Sequence, residues 1–401
     1  NLPISIDQLT PNKHARINKS AYKQLEKTQT LAVQEQRQEA LNLLQNLATD
    51  FHRTAYIVSL VLQNAAYILA ENGQYHKASN SLTRLINLQS LAPSAIQNSR
   101  HLLAQLNFQL ERYQPTIDVF EQWMALSKAG DISSQDYYLL ALSWYQLNNC
   151  KQAIRTIDKG IKQLKNTDES LLKLKLNCFL QQENYQAASD TLVKLLGFAP
   201  NNENYWSQWT YVLLKLENTT KALAAMEAMV EQNMLIGESL KIRYIRLLLE
   251  QNNAARAAST LESYFHKNEL DKNLENTRLL AHAWQQAGNI QKAIASFENN
   301  PATLSYKEGL KHLTQLLVDT EDSIKLSALL EKHLKANSES WSTVQIIRED
   351  EWLFQQLGAS YYGLGEKAQA QRFFSALESN KYLSEESQKH VGKWLRYLEK
   401  Q

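Results

Sequence analysis

Between positions 173 and 282 of this 401-residue chain stand eight side chains suited to gripping a peptide: Lys173, Asn177, Gln208, Tyr211, Arg243, Arg246, Arg278 and His282. Guanidinium forks match carboxylates, an ammonium group adds a point charge, and amide side chains can bond a peptide backbone. Tyr211 adds an apolar contact. Nothing of equal weight points to bond-making chemistry. The nine histidines are scattered, none stands four residues from another, and no H-E-x-x-H motif supplies metal geometry. G-x-S-x-G, Walker-type and dinucleotide motifs are absent. Cys150 and Cys178 do not make a C-x-x-C pair. Acid pairs are frequent, but on solvated helix faces they are ordinary surface. The residues therefore read as a binding protein, not an enzyme, with no cofactor and no metal.

Composition narrows the partner and the fold. The formal charge is +2 and no run of five Lys or Arg occurs, which argues against nucleic acid. The longest apolar runs, such as "AYIVSLVL" at 55–62, fall far short of the ~20 residues needed to span a bilayer. With only 11 glycines and 6 prolines, strand-and-turn architectures have little punctuation to work with, so an all-α chain is expected. The sequence opens at Asn1 with the polar "NLPISIDQLTPNKHAR". A removed leader and a trimmed start both fit.

Something must position the eight side chains, and a repeat supplies it. "YYGLGEKAQAQRFF" returns in kind as "LAENGQYHKASNSL", "LQQENYQAASDTL" and "WQQAGNIQKAIASF". Counting from the residue five after the turn gives anchors at Ala40, Ala78, Thr116, Ala153, Ala188, Ala222, Ala257, Ala293, Leu326 and Ala370, about 37 residues apart on average. Four residues beyond each anchor stands a large apolar side chain, from Leu44 and Leu82 to Phe374. Nine residues before come Leu31, Leu69, Asn107, Trp144, Phe179, Leu213, Leu248, Trp284, Leu317 and Tyr361, apolar in every case but Asn107. Residues i and i+4 share a helix face, so a small anchor and its bulky neighbour make one seam. Helices of about 14 residues are marginal alone in water, so each hairpin must bury its other face on the next.

The spacing and residue classes resemble tetratricopeptide (TPR) repeats, most fully in Leu357, Gly358, Tyr361, Gly365, Ala370 and Phe374, with an inter-repeat proline at Pro200. The resemblance implies a right-handed superhelical α-solenoid of about nine to ten TPR-like hairpins over 21–382. An irregular lead-in is expected at 1–20 and a longer connection, holding Trp341, near 336–349. A capping helix is expected at 383–401, opened by Ser384 and an acidic first turn, with Val391, Trp394, Leu395 and Leu398 on one face.

In such a fold the first helix of each hairpin lines the concave groove. The eight residues above face it together with Lys215, Lys311 and His312, against fewer acids: Glu250, Glu275, Glu308 and Asp319. A basic groove would take a protein or peptide segment that is acidic or ends in a carboxylate. Chaperone-binding members of the family hold a terminal carboxylate with Lys, two Asn, Lys and Arg. Lys173, Asn177 and Arg243 match that set, Gln208 stands in for the second Asn, and Ser239 departs from the Lys. Trp144, Trp206, Trp209, Trp284 and Trp352 read as packing more than as a binding box. Cys150 begins a second helix and Cys178 lies late in the next first helix; stacking can bring them together, so a disulfide and two buried free thiols both stay open.

The stretch 198–298, with paired tryptophans after Pro200 and "LLAHAW" before a glycine turn, resembles the helical-repeat proteins that accompany TonB energy-transduction systems in Gram-negative bacteria. That resemblance implies a periplasmic protein, signal peptide removed, assisting TonB-complex components; a cytoplasmic site is the alternative. The leading expectation is an interaction scaffold. An envelope enzyme accessory or polysaccharide-binding assembly factor is the alternative, marked by stacked groove aromatics. Self-assembly through the end hairpins is a third.

Overall fold

The computed structural model describes residues 17, 19–165, 168–235, 237–338, 351–379 and 383–400. Most of the expected lead-in at 1–20, and most of the connection expected near 336–349 with Trp341, lie outside these residues. Helices make up the fold, and no strand occurs among the described residues.

The chain packs as two compact units, Asn1–Asn218 and Thr219–Gln401. In the first unit five antiparallel hairpins follow one another. They are α1 (Lys19–Val33) with α2 (Arg37–Asp50), α3 (Ala55–Glu71) with α4 (Tyr75–Leu88), α5 (Pro93–Gln109) with α6 (Tyr113–Leu126), α7 (Ser134–Gln146) with α8 (Cys150–Leu164), and α9 (Glu169–Gln181) with α10 (Tyr185–Phe198). Helix α11 (Glu203–Lys215) completes this unit. The second unit begins with α12 (Thr219–Glu231) and continues with α13 (Glu238–Glu250) and α14 (Ala254–His266), α15 (Leu274–Gln286) and α16 (Ile290–Glu298), and α17 (Lys307–Asp319) and α18 (Ser323–Ser338). It ends with α19 (Glu351–Gly363), α20 (Lys367–Glu378) and the single helix α21 (Glu385–Glu399). Each hairpin packs on the next, so each unit is a helical stack of the α-solenoid kind that the repeat implies.

The repeat phase read from the sequence has a structural counterpart at every step. The residue five before each anchor has a left-handed backbone: Glu35, Gly73, Glu111, Asn148, Glu183, Glu217, Asn252, Gly288, Glu321 and Gly365. The amide of the following residue then donates to the carbonyl nine positions before the anchor, as in Gln74 to Leu69 (2.8 Å), Asn149 to Trp144 (2.9 Å) and Asn289 to Trp284 (2.8 Å). This bond across the last turn closes off the helix that precedes it. All ten anchors and all ten large residues four positions on are buried.

Two departures from the pattern are explained by hydrogen bonds. Asn107 is buried, but its side-chain oxygen accepts a bond from Ser79 Oγ at 3.1 Å, joining one hairpin to the next. Thr116 replaces an anchor alanine and turns its hydroxyl back onto the Arg112 carbonyl at 2.8 Å. A buried polar group satisfied in this way costs little.

Helix α21 covers the last hairpin as expected. Ser384 caps it by accepting from the Ser387 amide at 3.2 Å, with Glu385 and Glu386 in the first turn. Val391, Leu395 and Leu398 are buried, and Trp394 lies against Phe374.

Candidate functional site

The first helix of each hairpin carries the candidate residues, and its exposed face is set by the seam that packing uses. In α13 the buried positions include Tyr244, Ile245, Leu247 and Leu248, which leaves Arg246 outward and Arg243 half-buried. In α15 the buried set Asn276, Thr277, Leu280, Ala281, Ala283 and Trp284 leaves Glu275, Arg278 and His282 exposed. In α17, burial of Leu313, Thr314, Leu316 and Leu317 leaves Glu308, Lys311, His312 and Gln315 exposed.

These three helices enclose an open pocket of about 740 Å³ in the second unit. Arg246, Arg278 and His282 line it, as do Glu275, Gln285, Glu308, His312 and Gln315; Leu279, Phe297 and Leu316 supply its apolar surface. The structure thus brings together three of the eight sequence candidates. Its charges are ordered as a ladder. Arg246 Nη2 donates to Glu275 Oε1 on the next first helix at 3.1 Å, and Arg278 Nη1 donates to Glu308 Oε2 one hairpin further at 3.3 Å. The pocket is therefore close to charge-balanced, where residues counted along the helices read as basic. One turn beyond Glu308, His312 lies parallel to Phe297, ring centroids 6.5 Å apart. Partial burial, then the nearby Arg278 charge, lowers the His312 pKa below its ordinary value against an opposing pull from Glu308.

The other candidates lie elsewhere. Lys173, Asn177, Gln208 and Tyr211 belong to the first unit. Lys173 is committed locally: its ammonium is 2.8 Å from Glu169, which also accepts from the Tyr205 hydroxyl at 2.6 Å. The bonds from Lys173 and then Tyr205 hold the Glu169 carboxyl below the usual range. Asn177 and Gln208 are exposed on α9 and α11, and Lys215 sits over the exposed Tyr211 ring at 5.7 Å. Of the carboxylate-clamp positions, Lys173, Asn177 and Gln208 fall in the first unit, Ser239 and Arg243 in the second.

Gln285 and Gln315 were missed in the sequence. Each lies seven residues after a ladder member, Arg278 and Glu308, and so on the same helix face. That spacing was the signal available.

Trp206, Trp209 and Trp284 do not form an exposed platform. Trp284 is buried and its indole N–H donates to Glu262 at 2.9 Å. Trp206 donates to the Pro200 carbonyl at 2.6 Å and Trp209 to Ser189 Oγ at 3.0 Å, so both are tied into packing. Among the described residues no group of three or more His, Cys, Asp or Glu is placed to hold a metal ion, and no helix is long and apolar enough to cross a membrane.

No protein-family model matches the sequence, and no curated protein matches it. Solved structures with some likeness are helical-repeat proteins. MamA from Desulfovibrio magneticus RS-1 is 16% identical over 45% of this chain and 96% of its own, with a TM-score of 0.38. YrrB, described as a TPR protein with an unusual peptide-binding site, is 16% identical over 49% of this chain and 94% of its own, with a TM-score of 0.37. The C-terminal part of a TPR repeat-containing protein from Cytophaga hutchinsonii is 16% identical over 72% of this chain and 99% of its own, with a TM-score of 0.36.

Proposed function

We propose that this chain is a non-enzymatic scaffold that holds an extended protein segment against the face formed by α13, α15 and α17. The observation that supports this reading is the pocket of about 740 Å³ in which two arginines, two glutamates, two histidines and two glutamines surround an apolar floor. Such a surface suits a peptide. The amide of Gln285 can bond its backbone, Gln315 can do so by exchanging its bond to Asp319 (2.8 Å), and an apolar side chain can enter between Leu279 and Leu316. Arg246 and Arg278 are half-exposed, and exposed ion pairs are worth only about 0–1 kcal/mol. A partner carboxylate, from an acidic side chain or a chain terminus, can therefore replace Glu275 or Glu308 on either guanidinium at little cost.

The partner setting belongs to the same proposal. The resemblance over 198–298 favours a periplasmic role beside TonB-complex components. The test is a pull-down from envelope extract, run in parallel with purified periplasmic domains of TonB and ExbD. Wild-type chain is compared with an Arg246→Glu/Arg278→Glu variant. A partner held by wild type, released by moderate salt and lost with the variant supports the site. Equal capture by both proteins rejects it, and capture of partners other than TonB or ExbD rejects the TonB setting alone.

A further inference from the structure

We infer that Cys150 and Cys178 are a latent disulfide, closed by exchange with a small-molecule or protein disulfide, that ties the fourth hairpin to the fifth. They are the chain's two cysteines, and both are buried and unbridged. Cys150 is the first residue of α8, and Cys178 lies in the last turn of α9. The two helices belong to successive hairpins, yet both thiols enter one small core cluster with Ala153, sealed by Trp144, Tyr145 and Ile154. Cys150 Sγ donates to Gln181 Oε1 at 3.3 Å, and Gln181 lies one turn beyond Cys178 on α9. Burial, and then the thiol of Cys150 beside it, pushes the Cys178 thiol well above its ordinary range. As separate small hydrophobes the two positions could sit in any of the chain's seams. Instead they meet across one hairpin boundary.

The chemistry balances with a disulfide oxidant, R–S–S–R. Cys150 is the slightly more accessible of the two and attacks first, forming a mixed disulfide and releasing one RS⁻. The sulfur of Cys178 then attacks Cys150 Sγ, forming the internal S–S bond and releasing the second RS⁻. The two protons lost by the cysteines are carried by the two released thiols. The cysteines are oxidised and the oxidant is reduced by the same two electrons.

The test uses the full chain. It is refolded from urea in a buffer of reduced and oxidised glutathione, quenched with iodoacetamide, and compared by intact mass, peptide mapping and thermal unfolding with protein refolded in dithiothreitol. The expected product is lighter than the reduced chain by two hydrogens, is not alkylated, and yields one peptide joining Cys150 to Cys178. Its first unfolding transition should lie higher by roughly 5–10 °C, and the gain should vanish in dithiothreitol. Cys150→Ser and Cys178→Ser should each keep one buried thiol and lose the response to reductant. If either variant fails to fold, the wild-type peptide map still decides. Glutathione adducts on both cysteines, or two thiols that remain alkylatable after oxidative refolding, would overturn the pairing. A linked product that melts no higher than the reduced chain would overturn its role as a tie between hairpins.

Discussion

Phe374 and Trp394 lie face to face, ring centroids 5.1 Å apart and planes 11° from parallel. Phe374 is the large residue of the last seam, and Trp394 comes from the helix beyond it. The same tryptophan meets Tyr362 edge-on at 5.2 Å. Terminal helix and terminal hairpin are thus keyed by aromatic contact as well as by the aliphatic row Val391, Leu395 and Leu398. Trp394→Ala should lower the stability of the second unit by about 2–4 kcal/mol, somewhat less than a fully buried tryptophan would, because the ring is only half-buried. Lys393→Ala, on the exposed side of the same helix, should stay within about 0.5 kcal/mol. Urea titration followed by tryptophan fluorescence and circular dichroism would measure both.

Two glycines should respond in opposite directions. A methyl group on Gly358 would stand 2.7 Å from the Phe374 ring, which is fully buried and has no room to retreat. Gly358→Ala should therefore cost about 1–3 kcal/mol through overpacking. Nothing lies within 4 Å of the corresponding position on Gly392, inside α21. Gly392→Ala should stabilise by about 0.5–1 kcal/mol through helix propensity alone. Thermal melts of the two variants side by side would check the sign of each.

The first unit should weaken in acid through one buried carboxylate. Burial alone would raise the Asp136 pKa, but the bond from His101 at 2.6 Å and those from the Ser133 hydroxyl and amide outweigh it and lower it. His101 in turn stacks on Trp123 at 4.2 Å, so the pair fastens α5 to α7. A carboxylate with a depressed folded-state pKa contributes stability that is complete above its unfolded value of about 3.9 and is lost as pH falls through the folded value. Wild-type stability should therefore drop more steeply below about pH 4 than that of Asp136→Asn. The variant should already be weaker at pH 7 by about 1–3 kcal/mol, because a buried network has lost its charged acceptor. Denaturant midpoints measured from pH 3 to pH 7 would separate the two effects.

Charge reversal in the pocket should leave the fold intact. Glu275 and Glu308 are well exposed, and their arginine partners are half-exposed. The Arg246→Glu/Arg278→Glu variant should unfold within about 1–2 kcal/mol of wild type, since two exposed pairs become two exposed repulsions. A larger loss would mean that the ladder supports the stack, and that binding defects in this variant report folding.

Much of the architecture was legible because one spacing rule serves backbone and side chains alike. The residue that must turn left-handed, the carbonyl that accepts the closing bond and the buried anchor stand at fixed offsets, so aligning alanines located all three. Even Asn107 and Thr116, which break the apolar rule, keep the offsets and are satisfied by Ser79 and by the Arg112 carbonyl. The pocket was legible only in part. A count along single helices identified Arg246, Arg278 and His282 but could not pair the arginines with Glu275 and Glu308. Those pairs span 29 and 30 residues and depend on how one hairpin settles on the next. Lys173 was legible as a cation, but its bond to Glu169 and that carboxylate's second bond from Tyr205 were not.

The left-handed positions that end the first helix of each repeat hold an unused reserve of stability. Seven of the ten left-handed turn positions carry a side chain, five of them glutamate and two asparagine. The left-handed backbone costs a residue with a Cβ about 1 kcal/mol or more, a penalty that glycine avoids. An engineer seeking a hardier version of this chain could leave every core residue alone and rewrite Glu35, Glu111, Glu183, Glu217 and Glu321 as glycine. Sturdiness and recognition would then be adjustable separately, because none of those five letters lies on the face where Arg246 and Arg278 stand.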